Sequence, residues 1–276
     1  MPLKFTKMHG LGNDFVLIDA VKQNIKVTPQ LAKRLADRHL GVGCDQVLVL
    51  EPPSTKNVDF EYRIFNGDGT EVEQCGNGAR CLGRYIIDQR LSGKKSLLLK
   101  TLNRVMEIQS KAKNLICVNM SAPVLEPSNI PFQTDHQQVL YPIEVDNKTL
   151  HISAISMGNP HAVIQVDDVN KAPVKELGRQ LQQNKHFPDS VNVGFMQIID
   201  RQHIKLRVFE RGAGETQACG SGACAAAVAA IQQKLVDHLV TVELRGGELS
   251  IEWRGGDQPV LMTGPAVTVF QGQIKL

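Results

Sequence analysis

Apolar and polar residues alternate along most of this chain with the two-residue period of strands, interrupted by stretches of helical spacing. Lys4 to Ala20 reads as two short strands around Gly10-Leu11-Gly12-Asn13. Thr28-Pro29 then supplies a helix cap and a proline for the first helical position, with Leu31 and Leu35 one turn apart and Gly41-Val42-Gly43 closing the region. Strands follow at Gln46–Leu50 and Asp59–Phe65, the second carrying Phe60, Tyr62 and Ile64 on one face. Asn66-Gly67-Asp68-Gly69 marks a turn. A helix after Cys75 runs to about Arg90, and strands are expected at Ser96–Thr101, Val105–Gln109 and Leu115–Met120.

Beyond a proline-bearing linker, Ala122 to Pro131, the order recurs. Strands at His151–Ser156 and Ala162–Val166 flank Gly158-Asn159-Pro160, a helix is expected at about Pro173–Asn184, and strands at Asn192–Ile199 and His203–Phe209 lead to a second cysteine loop. Its helix precedes strands at Val240–Leu244, Glu248–Trp253 and Val260–Thr263. The recurrence is literal at one place. Tyr62–Cys81 (YRIFNGDGTEVEQCGNGARC) and Leu206–Ala225 (LRVFERGAGETQACGSGACA) align without a gap. They share Arg63/Arg207, Phe65/Phe209, Glu71/Glu215, Cys75/Cys219, Gly76/Gly220, Gly78/Gly222 and Ala79/Ala223, which points to a duplicated unit. Ala223 to Ile231 (ACAAAVAAI) has no polar face, so this helix must be buried on every side. The pattern predicts an α+β fold of two pseudo-symmetric domains, each a mixed β-sheet or barrel wrapped around a central helix.

Length and composition narrow the function. The 276 residues, 42% of them hydrophobic, are enough for two domains with proper cores. The net charge of +3 comes from residues spread along the chain, with no basic run or aromatic–basic interleaving, so nucleic acid is not an expected partner. The N-terminal MPLKFTKMHG has no apolar core of a signal segment, and the longest apolar run is too short to span a bilayer. A cytoplasmic protein with no membrane partner is expected, its six cysteines reduced. Their spacings do not match paired zinc ligands, so no metal is expected.

The chemistry concentrates at the two cysteine loops. A helix start leaves amide groups unpaired at the positive end of the helix dipole, and glycines at 76, 78, 220 and 222 leave those amides uncovered for a carboxylate. The same field lowers a cysteine's pKa and favours a thiolate near neutral pH. Two such loops facing one carbon would let one sulfur take a proton and the other return one to the opposite face. Cys44, Cys81, Cys117 and Cys224 lack this repeated context and read as small buried apolar residues. Gly220-Ser221-Gly222-Ala223-Cys224-Ala225 has the letters of a dinucleotide fingerprint, but the preceding strand ends about ten residues too early and no βαβ pattern is evident.

These elements resemble a known family. Gly12-Asn13-Asp14-Phe15, Asp45-Gln46 and Cys75-Gly76-Asn77-Gly78-Ala79-Arg80-Cys81 in the first half are similar to those of the diaminopimelate epimerases. So are Gly158-Asn159-Pro160-His161, Asn192-Val193-Gly194, Glu210-Arg211-Gly212 and Ala218-Cys219-Gly220-Ser221-Gly222 in the second. The resemblance implies a cofactor-independent epimerase, without pyridoxal phosphate, that interconverts LL- and meso-2,6-diaminoheptanedioate in lysine and peptidoglycan precursor synthesis. It implies a homodimer, and a last strand (about Ala266 to Leu276) that returns to the first. The domains would then be residues 1–120 with 266–276, and 121–265. Cys75 and Cys219 would be the paired acid and base, with the backbone amides of Gly76, Asn77, Gly220 and Ser221 holding the reacting carboxylate. Asn13, Gln46, Asn66, Asn159, Asn192, Glu210 and Arg211 would line the rest of the pocket, and His161 would order it.

The repeat adds to this. Asn66-Gly67 stands where the second copy has Glu210-Arg211, so Arg211 is expected to read the distant carboxylate and Glu210 to face an ammonium group. A proline racemase or hydroxyproline epimerase of the same mechanism is the nearest alternative, and a cyclic imino acid offers Arg211 no second carboxylate. A two-lobed amino-acid binder would have no need of paired cysteines, and a thiol hydrolase no need of the second. Where the family leads one to expect a glycine turn after Thr101, Leu102-Asn103-Arg104 has none.

Overall fold

In the computed structural model, which describes residues 2–73 and 75–275, one order of elements occurs twice. The first pass is β1 (Leu3–Gly10), β2 (Asn13–Asp19), α1 (Pro29–Ala36), β3 (Gln46–Glu51), β4 (Phe60–Asn66), β5 (Glu71–Val72), α2 (Gly76–Asp88), β6 (Ser96–Lys100), β7 (Val105–Ser110) and β8 (Ile116–Asn119). The second is β9 (Tyr141–Val145), β10 (Lys148–Ser156), β11 (Pro160–Gln165), α3 (Val174–Gln182), β12 (Asn192–Asp200), β13 (His203–Glu210), β14 (Gly214–Glu215), α4 (Gly220–Gln232), β15 (Leu239–Leu244), β16 (Gly247–Glu252) and β17 (Leu261–Gly264). A final strand, β18, spans Val267–Ile274. The chain forms two compact units, one running to Asn119 and resuming at Thr263, the other spanning Met120–Met262. Met1 and Leu276, at the ends of the expected N-terminal domain and last strand, lie outside the described residues, as does Gln74 in the first cysteine loop.

The pairing of strands repeats as well as their order. In the first unit β1–β2 is antiparallel, β2–β3 parallel, β3–β4 antiparallel, β4–β6 parallel and β6–β7 antiparallel. The second unit has the same series in β10–β11, β11–β12, β12–β13, β13–β15 and β15–β16. Parallel neighbours cannot be joined by a hairpin and need a crossover, which is why helices sit where they do: α1 and α3 bridge the first parallel pair of each unit, α2 and α4 the second. One strand differs in origin. β18 from the end of the chain pairs antiparallel with β1, whereas the equivalent partner of β10 is β9, its immediate predecessor.

The central helices are enclosed by their own strands. α2 contacts β1, β2, β3, β7, β8 and β18, and α4 contacts β10, β11, β12, β13, β15 and β16. Every residue of Ala223–Ile231 is buried, as its lack of a polar face requires. Small side chains are what allow the close approach. A Cβ at Gly83 of α2 would stand 2.8 Å from Ile108 on β7, and one at Gly178 of α3 2.6 Å from the Phe209 ring on β13. On α1, Thr28 caps the helix by accepting the Leu31 amide at 3.3 Å, and Leu35 is fully buried among Val47, Val49 and Phe65. The second unit has its own aromatic cluster, with the Phe132 ring 4.7 Å from Tyr141 and 4.8 Å from Phe187.

Three local readings need correction. β9 was not expected; Tyr141, Ile143 and Val145 alternate inward, and Asp146 and Asn147 turn the chain into β10 with φ of 49° and 58°, the two left-handed positions of a tight hairpin. The turn after β6 does without glycine because none of its residues has positive φ, and Thr101 closes it by donating its amide to the Arg104 carbonyl at 2.8 Å. A βαβ crossover does surround the Gly-x-Gly of α4, since β13 and β15 are parallel. The ten-residue gap holds, however, and β14 fills part of it, so the tight strand-to-helix turn of a dinucleotide site is not formed.

Candidate functional site

Each unit presents a cysteine as the cap of its central helix. Cys75 is extended (φ −147°, ψ 114°) before α2, and its Sγ accepts the amide of Gly78 at 3.4 Å. The residue is half-buried. Its thiol donates to Oδ1 of Asn13, 3.7 Å away on β2, and Asn77 donates its side-chain amide to the same oxygen at 3.2 Å. Gln46 on β3 donates to Asn66 Oδ1 at 2.9 Å, so this pair sits side by side where β3 and β4 meet.

Charged residues stand behind these amides. Asp45 Oδ2 accepts from the Asn13 side chain at 3.0 Å and from the Asp14 backbone at 3.1 Å, and Arg38 bonds both Asp14 and Asp45. Burial works to raise Asp14, yet hydrogen bonds from Arg38 and Lys7 outweigh it and hold the carboxyl at about 2. Arg80 is wholly buried inside the apolar run of α2 and donates to Asn77 Oδ1 at 2.9 Å and to the Pro265 carbonyl at 3.2 Å.

The second unit answers with different side chains at matching places. Cys219 caps α4 (φ −112°, ψ 108°), is 4% exposed, and lies 3.6 Å from the Ser221 hydroxyl. Burial pushes its thiol well up, and the neighbouring Glu210 carboxylate pushes it further. Glu210 itself accepts the Thr216 hydroxyl. His161, 1% exposed on β11, has Nε2 at 3.1 Å from Asn159 Oδ1; burial and then the Arg211 charge lower it to about 3, so it is neutral and donates that proton to Asn159. Asn192 on β12 donates to the Pro160 carbonyl at 2.9 Å and accepts the Arg211 backbone amide at 3.0 Å. The exposed Arg211 guanidinium rests on the Asp189 carbonyl at 2.8 Å.

Within its own unit, then, each cysteine is joined to candidate residues: Asn13 and Asn77 around Cys75, Ser221 and Glu210 around Cys219. Gly76 and Gly220 open the two helices. Two expectations change. A thiolate at rest is not what the surroundings of Cys219 favour, because burial and the Glu210 carboxylate push the thiol up by more than hydrogen bonds from Ser221 and Gly222 lower it. Gly78 and Gly222 owe their size to packing: a Cβ would meet Leu48 at 2.9 Å in the first case, and Val208 and the Cys219 sulfur at 3.1 and 3.2 Å in the second. Asp45 and Arg80 stand in the sequence only as letters of the family motifs, without a role of their own, and Arg80 adds a signal as a lone charge amid the apolar letters Ala79, Cys81 and Leu82. Arg38 and Thr216 leave none, since surface and buried polar residues look alike in a strand or loop. Among the described residues no group of His, Cys, Asp or Glu side chains is arranged to hold a metal, and no helix is long and apolar enough to cross a membrane.

The fold of two repeated α+β units is shared with solved proteins of low sequence identity. A hydroxyproline epimerase from Agrobacterium vitis superposes with a TM-score of 0.72 over 99% of this chain and 92% of its own, at 11% identity. A PhzF-family phenazine biosynthesis protein from Bacillus anthracis does so at 0.71 over all of both chains, at 16% identity. The sequence is more specific. The profile of the family described as diaminopimelate epimerase matches residues 5–126 and 153–269. Diaminopimelate epimerases of Ectopseudomonas mendocina and Teredinibacter turnerae are 56% and 55% identical over 276 residues, the whole of each chain. The chain belongs to the diaminopimelate epimerase family.

Proposed function

We propose that this protein interconverts LL- and meso-2,6-diaminoheptanedioate by a two-base thiol mechanism, in the supply of lysine and of peptidoglycan precursor. The observation that carries the reading is identity of 56%, over all 276 residues aligned, to a protein named for that substrate. In the reaction one sulfur takes the α-proton, the electron pair stays on carbon, and the other sulfur gives its proton to the opposite face. Nothing is oxidised or reduced. Burial and the Glu210 carboxylate favour the thiol form of Cys219, the form that donates a proton. The barrier is the weak acidity of a carbon beside an ammonium group. Helix-start amides of Gly76, Asn77, Gly220 and Ser221 on the reacting carboxylate lower it, each well-placed donor being worth about 3 kcal/mol. Arg211 leaves the Asp189 carbonyl for the distant carboxylate, Glu210 faces an ammonium group, and Asn13, Gln46, Asn66, Asn159 and Asn192 complete the pocket, with His161 fixing Asn159.

The working domains are residues 1–120 with 266–276, and 121–265. The protein acts in the cytoplasm as a homodimer. Support for self-association comes from β18, which pairs with β1 yet leaves Val267, Val269 and Phe270 exposed. The test is deuterium entry at the α-carbon in D₂O without added cofactor. Exchange is expected with LL-diaminopimelate and not with L-proline. Exchange with proline alone would assign the protein to the racemases, and none with either substrate would leave a binding protein or hydrolase. Replacing either Cys75 or Cys219 with Ala should abolish net inversion; normal turnover in either variant would refute the two-base scheme.

A further inference from the structure

The amides next to Cys75 form a line with a fixed sense. Arg80 can only donate, so Asn77 must turn Oδ1 toward it (2.9 Å) and its NH₂ toward Asn13 (3.2 Å). At the other end Asp45 can only accept, so Asn13 must turn its NH₂ toward the carboxylate (3.0 Å). Both constraints leave Asn13 Oδ1 as the atom that meets the Cys75 thiol, 3.7 Å away. A carbonyl oxygen welcomes an S–H and repels a thiolate; an amide NH₂ in its place would do the reverse.

We propose that Asp45 and Arg80 are positioning residues, which act through Asn13 and Asn77 to hold a carbonyl oxygen against the Cys75 sulfur and so raise the pH at which that sulfur ionises in the ligand-free protein. The proposal rests on the reading of Cys75 as an acid–base group. Asp45 is itself pinned, by the Asp14 amide at 3.1 Å and by Arg38 at 2.7 Å. The second unit carries no such line: Ser221 stands in place of Asn77 and Cys224 in place of Arg80. Around Cys75 in its own unit stand Tyr62 on β4 and Cys81 on α2, both kept un-ionised by burial, and the Arg80 cation. None of these changes charge between pH 6 and pH 9, and His9, whose Nδ1 accepts the Gly12 amide at 3.3 Å, is common to parent and variants, so a difference between their profiles reports the sulfur.

The experiment is iodoacetamide labelling of the full, ligand-free chain from pH 6 to pH 9, with Cys75 and Cys219 read separately by peptide mass spectrometry. In Asp45→Ala the Asn13 NH₂ loses its acceptor, and the amide can turn its NH₂ to the sulfur at the cost of the Asn77 bond alone. The Cys75 profile should move to lower pH, labelling at pH 7 rising about fivefold, while Cys219 keeps its profile. Asp45→Asn keeps an oxygen for the Asp14 and Asn13 N–H groups at the cost of the Arg38 bond and should shift Cys75 less than Asp45→Ala does. An unmoved Cys75 profile in Asp45→Ala, or an equal shift in Asp45→Asn, overturns the proposal. If Asp45→Ala labels buried Cys81 as well and is therefore unfolded, Asn13→Ala decides: the Cys75 profile should again move to lower pH, and no movement refutes the role of the amide. Labelling does not depend on turnover, so its failure is distinct from failure of the two-base scheme.

Discussion

At the scale of single residues, the two cysteines occupy equivalent caps in unlike surroundings. Cys75 is half-buried among amides, whereas Cys219 is buried beside a carboxylate. Removing that charge with Glu210→Gln should ease ionisation of Cys219, and its labelling at pH 8 should rise several-fold while that of Cys75 stays constant; an unchanged rate would show that burial alone sets the thiol. His161 has a consequence for stability. Its folded-state value of about 3 lies below the ordinary 6.5, so the unfolded chain binds the extra proton between these limits. Stability is therefore fully present above pH 6.5 and falls as the pH drops toward 3. At pH 4.5 this group should cost on the order of 2 kcal/mol relative to pH 7, and urea denaturation of His161→Gln beside the parent should show a shallower loss.

At the scale of elements, capping and close packing decide what each helix tolerates. Thr28→Ala removes the acceptor of the Leu31 amide, and a loss of about 1 kcal/mol in urea unfolding is expected. α4 permits less. Ala227 is fully buried in a helix with strands around it, so Ala227→Leu must displace neighbours, at a cost of about 3 kcal/mol or loss of soluble protein. A wild-type melting temperature for that variant would mean that the helix is not enclosed as described. The repeated ion pairs belong to this scale too: Arg63 grips Glu71 and the Val27 carbonyl, as Arg207 grips Glu215 and the Val169 carbonyl, tying each cysteine loop to a strand and to the chain beside the first helix of its unit.

At the scale of the whole molecule, the closing strand is the point of interest. In the second unit β9 precedes its partner directly, whereas in the first unit the chain supplies β18 only after passing through the other unit. Deleting the residues from Ala266 onward should therefore disrupt the first unit, although they are farthest from it in sequence; a truncated protein that stays folded and active would contradict this. β18 also carries the exposed apolar side chains on which self-association is proposed. Phe270→Asp should shift sedimentation from dimer to monomer, and an unaltered dimer would place the interface elsewhere.

The sequence by itself determined the duplication, the order of most elements and the two capping cysteines, because these depend on local signals: period, turn residues, caps and an all-apolar helix. The tight Asp146-Asn147 turn into β10 rests on the same kind of local signal. Only the tertiary structure decided the rest. Which amide end meets Cys75 is set by Asp45 and Arg80, 35 residues apart in number and on opposite sides of Asn13, and no local pattern couples them. The state of Cys219 follows from burial and from the Glu210 carboxylate, which the fold brings beside it. A hydrogen bond's direction and a thiol's charge depend on what the folded chain brings alongside, and that is written in contacts rather than in neighbours along the chain.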